Sequence, residues 1–417
     1  MNLFRTPKLY LYSPVLLAIL LIRPSLDSIA SKFKIAGFSF GAVFNLFILV
    51  CLLTILLKLK FKIYREAVWW LPLLFLMIIS LAWTPNLTAG IRLSLVAVTY
   101  AAMFTIPFHF IKTESDFVEC IKAIIISAII PILFTLYEVV FPAGSTNHHG
   151  FRLFGSFSHP NVFAFFLLTI FATCFYAIKS SLFIKEVTLR KFCMLFIFIV
   201  GVCILGTKTR SAWLIVFFII LLFGLFSEKR FLIYLAIASL IALSVPSVQE
   251  RLIDLTKGND IDAFVDDYQA LNSYAWRKVI WAGALDKFWE APILGFGYQS
   301  FMNYSHDFFL IPLPSGAAAH NTYVQLLFEL GVLGIIAFFY LLFSVMTKLW
   351  LLVKLERHNI IIFGLFVGYM LSHFSDNILG YLVFNWYFWF LIGAIIAQSK
   401  INKTKAPIHS IGKHEFS

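Results

Sequence analysis

Three side chains in this sequence have the types and settings that chemistry requires: His320, Arg210 and Arg277. His320 opens the run HNTYVQLLFELGVLGIIAFF, in which a polar start leads into a long apolar stretch. Imidazole is the side chain whose ordinary pKa lies near neutrality, so it can accept a proton from a reacting hydroxyl. A histidine that only caps a helix or sits at an interface is the alternative interpretation.

The arginines lie where a basic residue is costly or unexpected. Arg210, in GTKTRSAW, falls between two apolar runs, and Arg277 lies in the amphipathic stretch SYAWRKVIWAGALDKFW. A charge that is buried or interfacial in a membrane protein is by default a candidate for function. The alternatives are an interfacial anchor, which is favoured for the neighbouring Lys208, and a solvated helix face for Arg277. Arg152 is the only Lys or Arg in another connection, HHGFRLFGSFSHPN.

The residue pattern does not favour a metal site. His148 and His149 are adjacent and cannot share one helix face, and their connection holds no carboxylate. Asp260 and Asp262 resemble the metal-binding pair of nucleotide-sugar transferases, but a solvated acidic loop is the preferred interpretation. The five cysteines form no C-x-x-C pair, so neither a disulfide framework nor a zinc site is predicted.

Composition places these residues in a membrane protein. Of the 417 residues, 61% are hydrophobic and 13% charged, whereas soluble domains are nearer half apolar and a quarter charged. The apolar residues form runs of about 17–22, the length that spans a bilayer. The net charge of +12 comes mostly from the short connections, which indicates membrane orientation and not nucleic-acid binding. The N-terminal segment resembles a signal peptide, and we interpret it as an uncleaved first span because many spans follow.

The fold predicted is an all-α polytopic bundle of about twelve transmembrane helices with one long extracytoplasmic loop. The spans lie near 9–22, 37–57, 67–83, 93–111, 121–141, 161–178, 192–206, 211–227, 231–247, 325–347, 359–376 and 380–398. With the N-terminus inside, most of the 33 basic residues fall in inner connections, so both termini are expected in the cytoplasm. The domain division is 1–247 for helices one to nine, 248–319 for the loop, 320–398 for the last three helices and 399–417 for a basic cytoplasmic tail.

The long loop 248–319 changes character along its length. Its first half is acidic, and its second half repeats apolar residues at helical spacing, from Trp276 to Phe288. This second half predicts an amphipathic helix, lying on the membrane surface, that Pro292 ends. Gly331 and Gly334 follow His320 by 11 and 14 residues. Gly331 would lie roughly 16 Å below His320 on a helix, and such small residues let another helix approach closely.

These motifs resemble the O-antigen polymerase and O-antigen ligase superfamily. His320, Asn321, Gly331 and Gly334 match its His-Asn-x9-Gly-x-x-Gly signature after a long outer loop. Thr209-Arg210-Ser211 resembles its short arginine motif, and Arg277 upstream of Pro292-x-x-Gly-x-Gly resembles its loop arginine. Arg152 and the run that ends at Asn161 resemble polymerase-like members. The resemblance covers the topology and a core of about 150–340.

The resemblance implies a GT-C-like membrane glycosyltransferase of the bacterial inner membrane, with an extracytoplasmic site and neither metal nor cofactor. The donor would be a glycan on undecaprenyl diphosphate, and the acceptor a hydroxyl of a repeat unit or of lipid A-core. His320, Arg210 and Arg277 would be catalytic, and Gly331 and Gly334 structural. The implied substrate-binding residues are Arg152, Asn161, Lys208, Tyr298 and Asn321. Membrane lipids and a chain-length regulator are the further partners.

Within this chemistry, repeat-unit polymerisation is favoured, through the Arg152 loop and the Gly295-x-Gly297 stretch with Tyr298. The O-antigen ligase reaction and protein O-oligosaccharyl transfer remain alternatives. A lipid-linked oligosaccharide flippase is the alternative from another class, but no internal repeat is found. A non-catalytic assembly scaffold is the last alternative.

Overall fold

A computed structural model describes residues 13–28, 34–35, 38–58, 63–142, 146–147, 150–253, 273–309 and 315–405. These residues are mostly helical, with only two two-stranded hairpins among them, β1–β2 (Lys34–Ile35, Phe38–Ser39) and β3–β4 (Thr146–Asn147, Gly150–Phe151). The predicted acidic half of the long loop, including Asp260 and Asp262, lies outside the described residues, as do His148 and His149.

The helices follow the apolar runs of the sequence. They are α1 Ser13–Ile22, α2 Phe40–Lys58, α3 Leu71–Ile79, α4 Leu87–Phe110, α5 Glu114–Ile126, α6 Ile129–Val140, α7 Pro160–Lys179, α8 Val187–Gly206, α9 Arg210–Phe226, α10 Arg230–Leu243, α11 Pro246–Ile253, α12 Ser273–Phe288, α13 Phe301–Phe308, α14 Thr322–Leu355, α15 Ile360–Ser372 and α16 Leu382–Lys405. Short 3₁₀ turns join several of them, at Arg23–Leu26, Arg65–Trp70, Ser80–Ala82, Ser181–Phe183, Arg357–Asn359 and Ile378–Gly380.

The described residues form a polytopic membrane protein. Seven of their helical stretches are long and apolar enough to cross a membrane, and four shorter apolar helices accompany them. The long ones are Arg65–Ala82, Leu87–Phe110, Glu114–Val140, Pro160–Lys179, Val187–Gly206, Thr322–Leu355 and Leu382–Ile401. The shorter ones are Pro14–Leu26, Gly41–Thr54, Arg210–Phe226 and Arg230–Leu243. The all-helical membrane architecture therefore agrees with the sequence, whereas the count of twelve spans stays a prediction.

The last helix, α16, lies at the centre of the bundle. Its aromatic residues Trp386, Tyr387, Phe388 and Trp389 are fully buried against α4, α7 and α15. The Trp386 indole donates to Thr99 Oγ1 on α4 at 2.9 Å. Polar bonds of this kind fix which helices pair, because lipid offers no competing partner.

The connections between helices separate into two groups by their contacts. The first group comprises the connections that the predicted alternation of spans places on one side of the membrane. They are linked by ion pairs, such as Lys122 with Glu186 at 3.1 Å and Lys179 with Glu228 at 2.6 Å. The others also contact each other: Thr84 Oγ1 donates to the carbonyl of Tyr298 at 2.8 Å, and Ser156 Oγ donates to Pro24. The candidate catalytic residues all belong to the second group.

The amphipathic helix of the long loop forms as α12, but its apolar face does not rest on lipid. Ile280, Ala284 and Phe288 are buried, and the helix packs on α13 and α14. The Trp281 indole donates to the carbonyl of Ala319 at 2.7 Å, one residue before His320. The predicted position on the membrane surface is thus wrong for this face, because the first turns of α14 supply a closer apolar partner.

Gly331 of the signature was predicted to let a second helix approach, but the structure gives it a different neighbour. Gly331 adopts φ +65° and ψ −166°, which breaks α14 into Thr322–Leu330 and the helix that resumes at Val332. The segment Pro292–Gly297 fills the break: Val332 N donates to Pro292 O at 2.9 Å, and Gly297 N donates to Glu329 O at 2.9 Å. The close neighbour of Gly331 is therefore an extended loop segment and not a second helix.

The insertion of Pro292–Gly297 into the break of α14 at Gly331, here called the join, predicts a large effect of Gly331→Ala on folding. A Cβ at Gly331 would lie 2.2 Å from the carbonyl oxygen of Ile293, and its positive φ disfavours every L residue. The backbone cost alone is about 1–3 kcal/mol. We expect a clear fall in the melting temperature of the purified protein in detergent. Gly201→Ala on α8 is the control, since a Cβ there meets nothing within 4 Å; equal melting of both variants would contradict the proposed join.

Candidate active site

The candidate active site is organised around a carboxylate, Asp376, in the connection between α15 and α16. Asp376 is buried and accepts four hydrogen bonds. Its donors are Asn161 Nδ2 at 3.1 Å, Asn377 N at 2.9 Å, the Tyr381 hydroxyl and the ring of His320. Burial alone would raise the pKa of Asp376, but the bonds from His320 and Tyr381 hold that pKa well below its ordinary value. The group is therefore ionised at neutral pH.

His320 is held by this carboxylate and by its own backbone. Its Nδ1 lies 3.2 Å from Asp376 Oδ1, and nearly half of its side chain remains exposed. Because an ionised carboxylate can only accept, Nδ1 carries the proton and Nε2 keeps a free lone pair. His320 also has φ +47°, a left-handed conformation that is uncommon outside glycine and concentrates at functional sites.

The capping of α14 belongs to the next residue and not to His320. Asn321 Oδ1 accepts from the backbone N–H groups of Tyr323 and Val324 at 3.0 and 3.2 Å. Asn321 is buried, and its backbone N–H donates to Asn377 Oδ1 at 3.0 Å. The structure therefore gives Asn321 a helix-capping function, and its predicted contact with substrate stays a prediction. His320 is left to face solvent.

Arg152 lies on the other side of Asp376, in a buried network. Its Nε donates to Thr207 O at 2.7 Å, and one terminal nitrogen donates to Asn161 Oδ1 at 2.9 Å and Thr209 Oγ1 at 3.3 Å. Asn161 is the bridge, because its Nδ2 donates to Asp376. Glu138 fixes the loop by accepting from the backbone N–H groups of Phe154 and Gly155. The loop of Arg152 and the 207–210 hairpin thus share one hydrogen-bond network.

Arg210 and Lys208 flank this network. Arg210 is the first residue of α9, half-buried, directly after Thr209, whose hydroxyl donates to Asn161 Oδ1 at 3.2 Å. Lys208 has φ +52°, and its ammonium lies by the β3–β4 hairpin, 3.7 Å from where a Cβ of Gly150 would stand. Arg210 therefore lies beside this network at a helix N-terminus, where the helix dipole favours an anion.

Arg277 approaches from the long loop. It is half-buried on α12 and within electrostatic range of Asp376 and Tyr381. Burial lowers the pKa of Arg277 from its ordinary value, and the charge of Asp376 opposes that shift. Within the described residues its Nε is buried without a hydrogen-bond partner. A buried N–H of this kind is costly unless a ligand oxygen accepts from it.

The predicted site residues therefore meet at one end of the bundle. His320, Arg277, Arg152, Asn161 and the Arg210 hairpin surround Asp376, although their functions stay predictions. Tyr298 lies deeper, buried in the wall of a cavity beside the site. In the described part of the chain, no three His, Cys, Asp or Glu side chains are grouped as metal ligands. The five cysteines are buried and unpaired.

Asp376 and Tyr381 are the site residues that the sequence analysis missed. One signal was present: Asp376 is the last residue of the predicted span 359–376 and the only acidic residue in it. An acid at the end of a span is ordinarily solvated, so nothing in the chain order links it to His320, 56 residues earlier.

One comparison with known proteins gives a match. Residues 195–339 match the family described as O-antigen ligase. The matched segment includes Arg210, Arg277, His320 and both signature glycines, whereas Arg152 and Asp376 lie outside it. The match confirms the resemblance to the O-antigen polymerase and ligase superfamily. No curated protein matches the chain.

Proposed function

We propose that this chain, a member of the O-antigen polymerase and ligase superfamily, is a metal-independent inverting glycosyltransferase. It transfers a glycan from undecaprenyl diphosphate to a hydroxyl of a second glycan, as a repeat-unit polymerase. The reaction takes place on the outer side of the bacterial inner membrane, and both termini lie in the cytoplasm. The observation that carries the proposal is the single carboxylate, Asp376, that holds His320 beside the arginine-lined end of the bundle.

In this proposal His320 is the general base. Its Nε2 takes the proton of the acceptor hydroxyl while that oxygen bonds to the anomeric carbon of the donor. The bond from this carbon to the phosphate oxygen breaks on the opposite face, which inverts the configuration. The ionised Asp376 stabilises the imidazolium that forms, and it keeps the ring in the tautomer that exposes Nε2.

The leaving group is a lipid diphosphate, which needs neutralisation of charge more than it needs a proton. Arg277 offers a buried N–H that lacks a partner within the described chain. Arg210 adds a second guanidinium at the N-terminus of α9. Paired donors held in place before the reaction stabilise charge that develops on the leaving oxygen. Arg152, whose Nε and one terminal nitrogen donate to Thr207, Asn161 and Thr209, positions the site and adds positive charge.

Two features favour polymerisation. The Arg152 loop and Tyr298 are the features in which the sequence resembles polymerase-like members. Arg152 bonds to Asn161 beside Asp376, and Tyr298 lines the neighbouring cavity. Transfer to lipid A-core is the second candidate, because the matched family is described as O-antigen ligase.

A flippase is disfavoured by how the broken helix is used. Discontinuous helices are common in transporters, where the break binds substrate. In α14 the break is filled by Pro292–Gly297 of the same chain. A flippase would leave the length distribution of the lipid-linked glycan unchanged, which gives a direct test.

A deletion strain tests the function and separates the candidates. The glycan ladder on a gel and the lipid-linked intermediates are analysed together. Loss of the ladder with a single repeat unit still transferred to the core supports the polymerase. Long polymer retained on the carrier lipid supports the ligase instead. An intact ladder would overturn both.

Asp376→Asn tests the carboxylate separately from the base. An asparagine cannot stabilise the imidazolium, and its amide can offer an N–H to Nδ1, which favours the wrong tautomer. We expect the transfer rate to fall by about 10²–10⁴-fold, measured as single-turnover consumption of lipid-linked donor. Asp307→Asn, at an exposed position of α13, is the matched control. Equal rates for the two variants would remove Asp376 from the mechanism.

A further inference from the structure

A cavity beside the candidate site is not used by the mechanism above. It measures about 160 Å³ and lies between α3, α4, the start of α14 and the turn at Tyr298–Gln299. An engineered cavity of about 150 Å³ holds one benzene molecule, so this cavity has room for one six-membered ring. Its walls are mainly apolar and include the aromatic side chains of Trp70, Tyr100 and Tyr298.

A few polar groups converge on one part of this wall. Glu329 is fully buried on α14 and contributes to it, as do Gln325, Gln299 and Asn377. Glu329 Oε1 accepts from Gln325 Nε2 at 2.9 Å and from Phe301 N at 3.3 Å. Its Oε2 is buried without a hydrogen-bond partner among the described residues. A buried carboxylate oxygen without a donor costs free energy, which a ligand hydroxyl would offset.

The cavity and the hydrogen-bond network of Arg152 are separate, but both adjoin the segments that carry His320 and Asp376. Asn377 and Thr322 line the cavity, and each directly follows a residue of the site, Asp376 and Asn321. Thr322 Oγ1 also donates to the backbone carbonyl of Asp376 at 3.1 Å. No residue of the Arg152 loop or of the 207–210 hairpin lines the cavity. The cavity therefore adjoins the two short segments, around residues 320–322 and 376–377, that carry His320 and Asp376.

We propose that this cavity is the subsite for the acceptor sugar: it holds one pyranose ring, and Glu329 accepts a hydrogen bond from one of its hydroxyls. This inference rests on the proposed glycosyl transfer. A ring in the cavity presents its neighbouring hydroxyl to His320, while the donor diphosphate occupies the arginine side. Aromatic walls with a few placed polar groups suit a ring with apolar faces and polar edges.

The main competitor for this cavity is the polyprenyl chain of the donor. The size of the cavity argues against it, because about 160 Å³ holds a single ring and not a long chain. The chemistry of the wall argues against it too: a hydrocarbon chain would leave the buried Glu329 Oε2 without a hydrogen-bond partner.

Filling the cavity tests the proposal. Ala97 on α4 lines it and is buried, so Ala97→Met places a thioether in the space of the ring. Ala101→Met is the matched control, because Ala101 lies one turn further along α4 and outside the lining. The donor is the lipid-linked repeat unit extracted from the deletion strain, and the acceptor is the oligosaccharide released from the same extract by mild acid. Initial rates of the full-length protein are measured against each substrate.

We expect Ala97→Met to raise the KM for the acceptor by about 10-fold or more and to leave the KM for the donor unchanged, as in Ala101→Met. A rise in the donor KM alone would assign the cavity to the carrier lipid, and unchanged constants would also overturn the proposal. Leu93→Phe, which fills the same cavity from another turn of α4, replaces Ala97→Met if that variant does not fold. A wild-type protein that consumes no donor would overturn the proposed function itself, which is a different outcome.

Glu329→Gln tests the hydroxyl contact. The amide keeps one oxygen for Gln325 and Phe301 but replaces the other acceptor by a donor. We expect the acceptor KM to rise by about 10–150-fold, the equivalent of one hydrogen bond to a charged group. If removal of individual hydroxyls from the acceptor has the same effect in the wild type and in Glu329→Gln, Glu329 does not contact the sugar.

Discussion

His320→Ala is expected to lower glycan transfer by on the order of 10²–10⁴-fold, the usual contribution of a general base. The imidazole is the exposed base at the site, and the buried Asp376 fixes its tautomer. Removal of the ring leaves the acceptor hydroxyl protonated during attack. The measurement is the glycan ladder in a complemented deletion strain, together with single-turnover consumption of lipid-linked donor by purified protein.

The control for this substitution is His306→Ala. His306 is an exposed histidine on α13 of the same loop. It should leave the ladder unchanged, and both variants should insert in the membrane at the wild-type level. A complete ladder from His320→Ala at equal protein level would show that no imidazole base is needed. That result would favour an assembly scaffold over an enzyme.

Arg277→Ala is the second substitution with a large expected effect, a loss of about 10²–10³-fold in the transfer step. The guanidinium is half-buried near Asp376 and has a buried N–H that lacks a partner among the described residues. Arg277→Lys should recover only part of the rate, because an ammonium cannot make paired contacts with a diphosphate. Arg210→Ala and Arg210→Lys should follow the same order.

Lys278→Ala is the control for the loop arginine. Lys278 is exposed and adjacent on α12, so its removal changes the charge of the loop by the same amount. If Lys278→Ala and Arg277→Ala slow the reaction equally, the loop acts through its overall charge. Full recovery by Arg277→Lys would likewise exclude paired contacts to the leaving group.

The sequence was sufficient for the all-helical membrane architecture because apolar run length depends only on local composition. Each predicted span overlaps a helix of the described residues, and α12 ends at Phe288, before Pro292. The candidates His320, Arg210 and Arg277 were selected because each is a titratable or basic residue beside or within an apolar stretch of the sequence. Their convergence on one end of the bundle was a consequence of the predicted alternation of the spans.

The partners of these residues could not be found in the same way. Asp376 lies 56 residues from His320 and 215 from Asn161 along the chain. No local sequence pattern predicts a hydrogen bond between residues so far apart in sequence. Gly331 was predicted to be structural, but its positive φ and the insertion of Pro292–Gly297 are tertiary features that the sequence pattern does not indicate. The join links two motifs that appear unrelated along the chain. Glu329 lies in the middle of an apolar run, and only the cavity that it borders indicates a function for it.

Asp376 follows both arginine motifs and His320 along the chain, and this order has a consequence for biosynthesis. The chain emerges from the ribosome in order, so both arginine motifs and His320 reach the membrane before the carboxylate that aligns the base. Even then α16 must still insert, because it forms the centre of the bundle. Under the proposed mechanism, a polypeptide that stops before Asp376 lacks the carboxylate that aligns His320, and we expect it to be inactive.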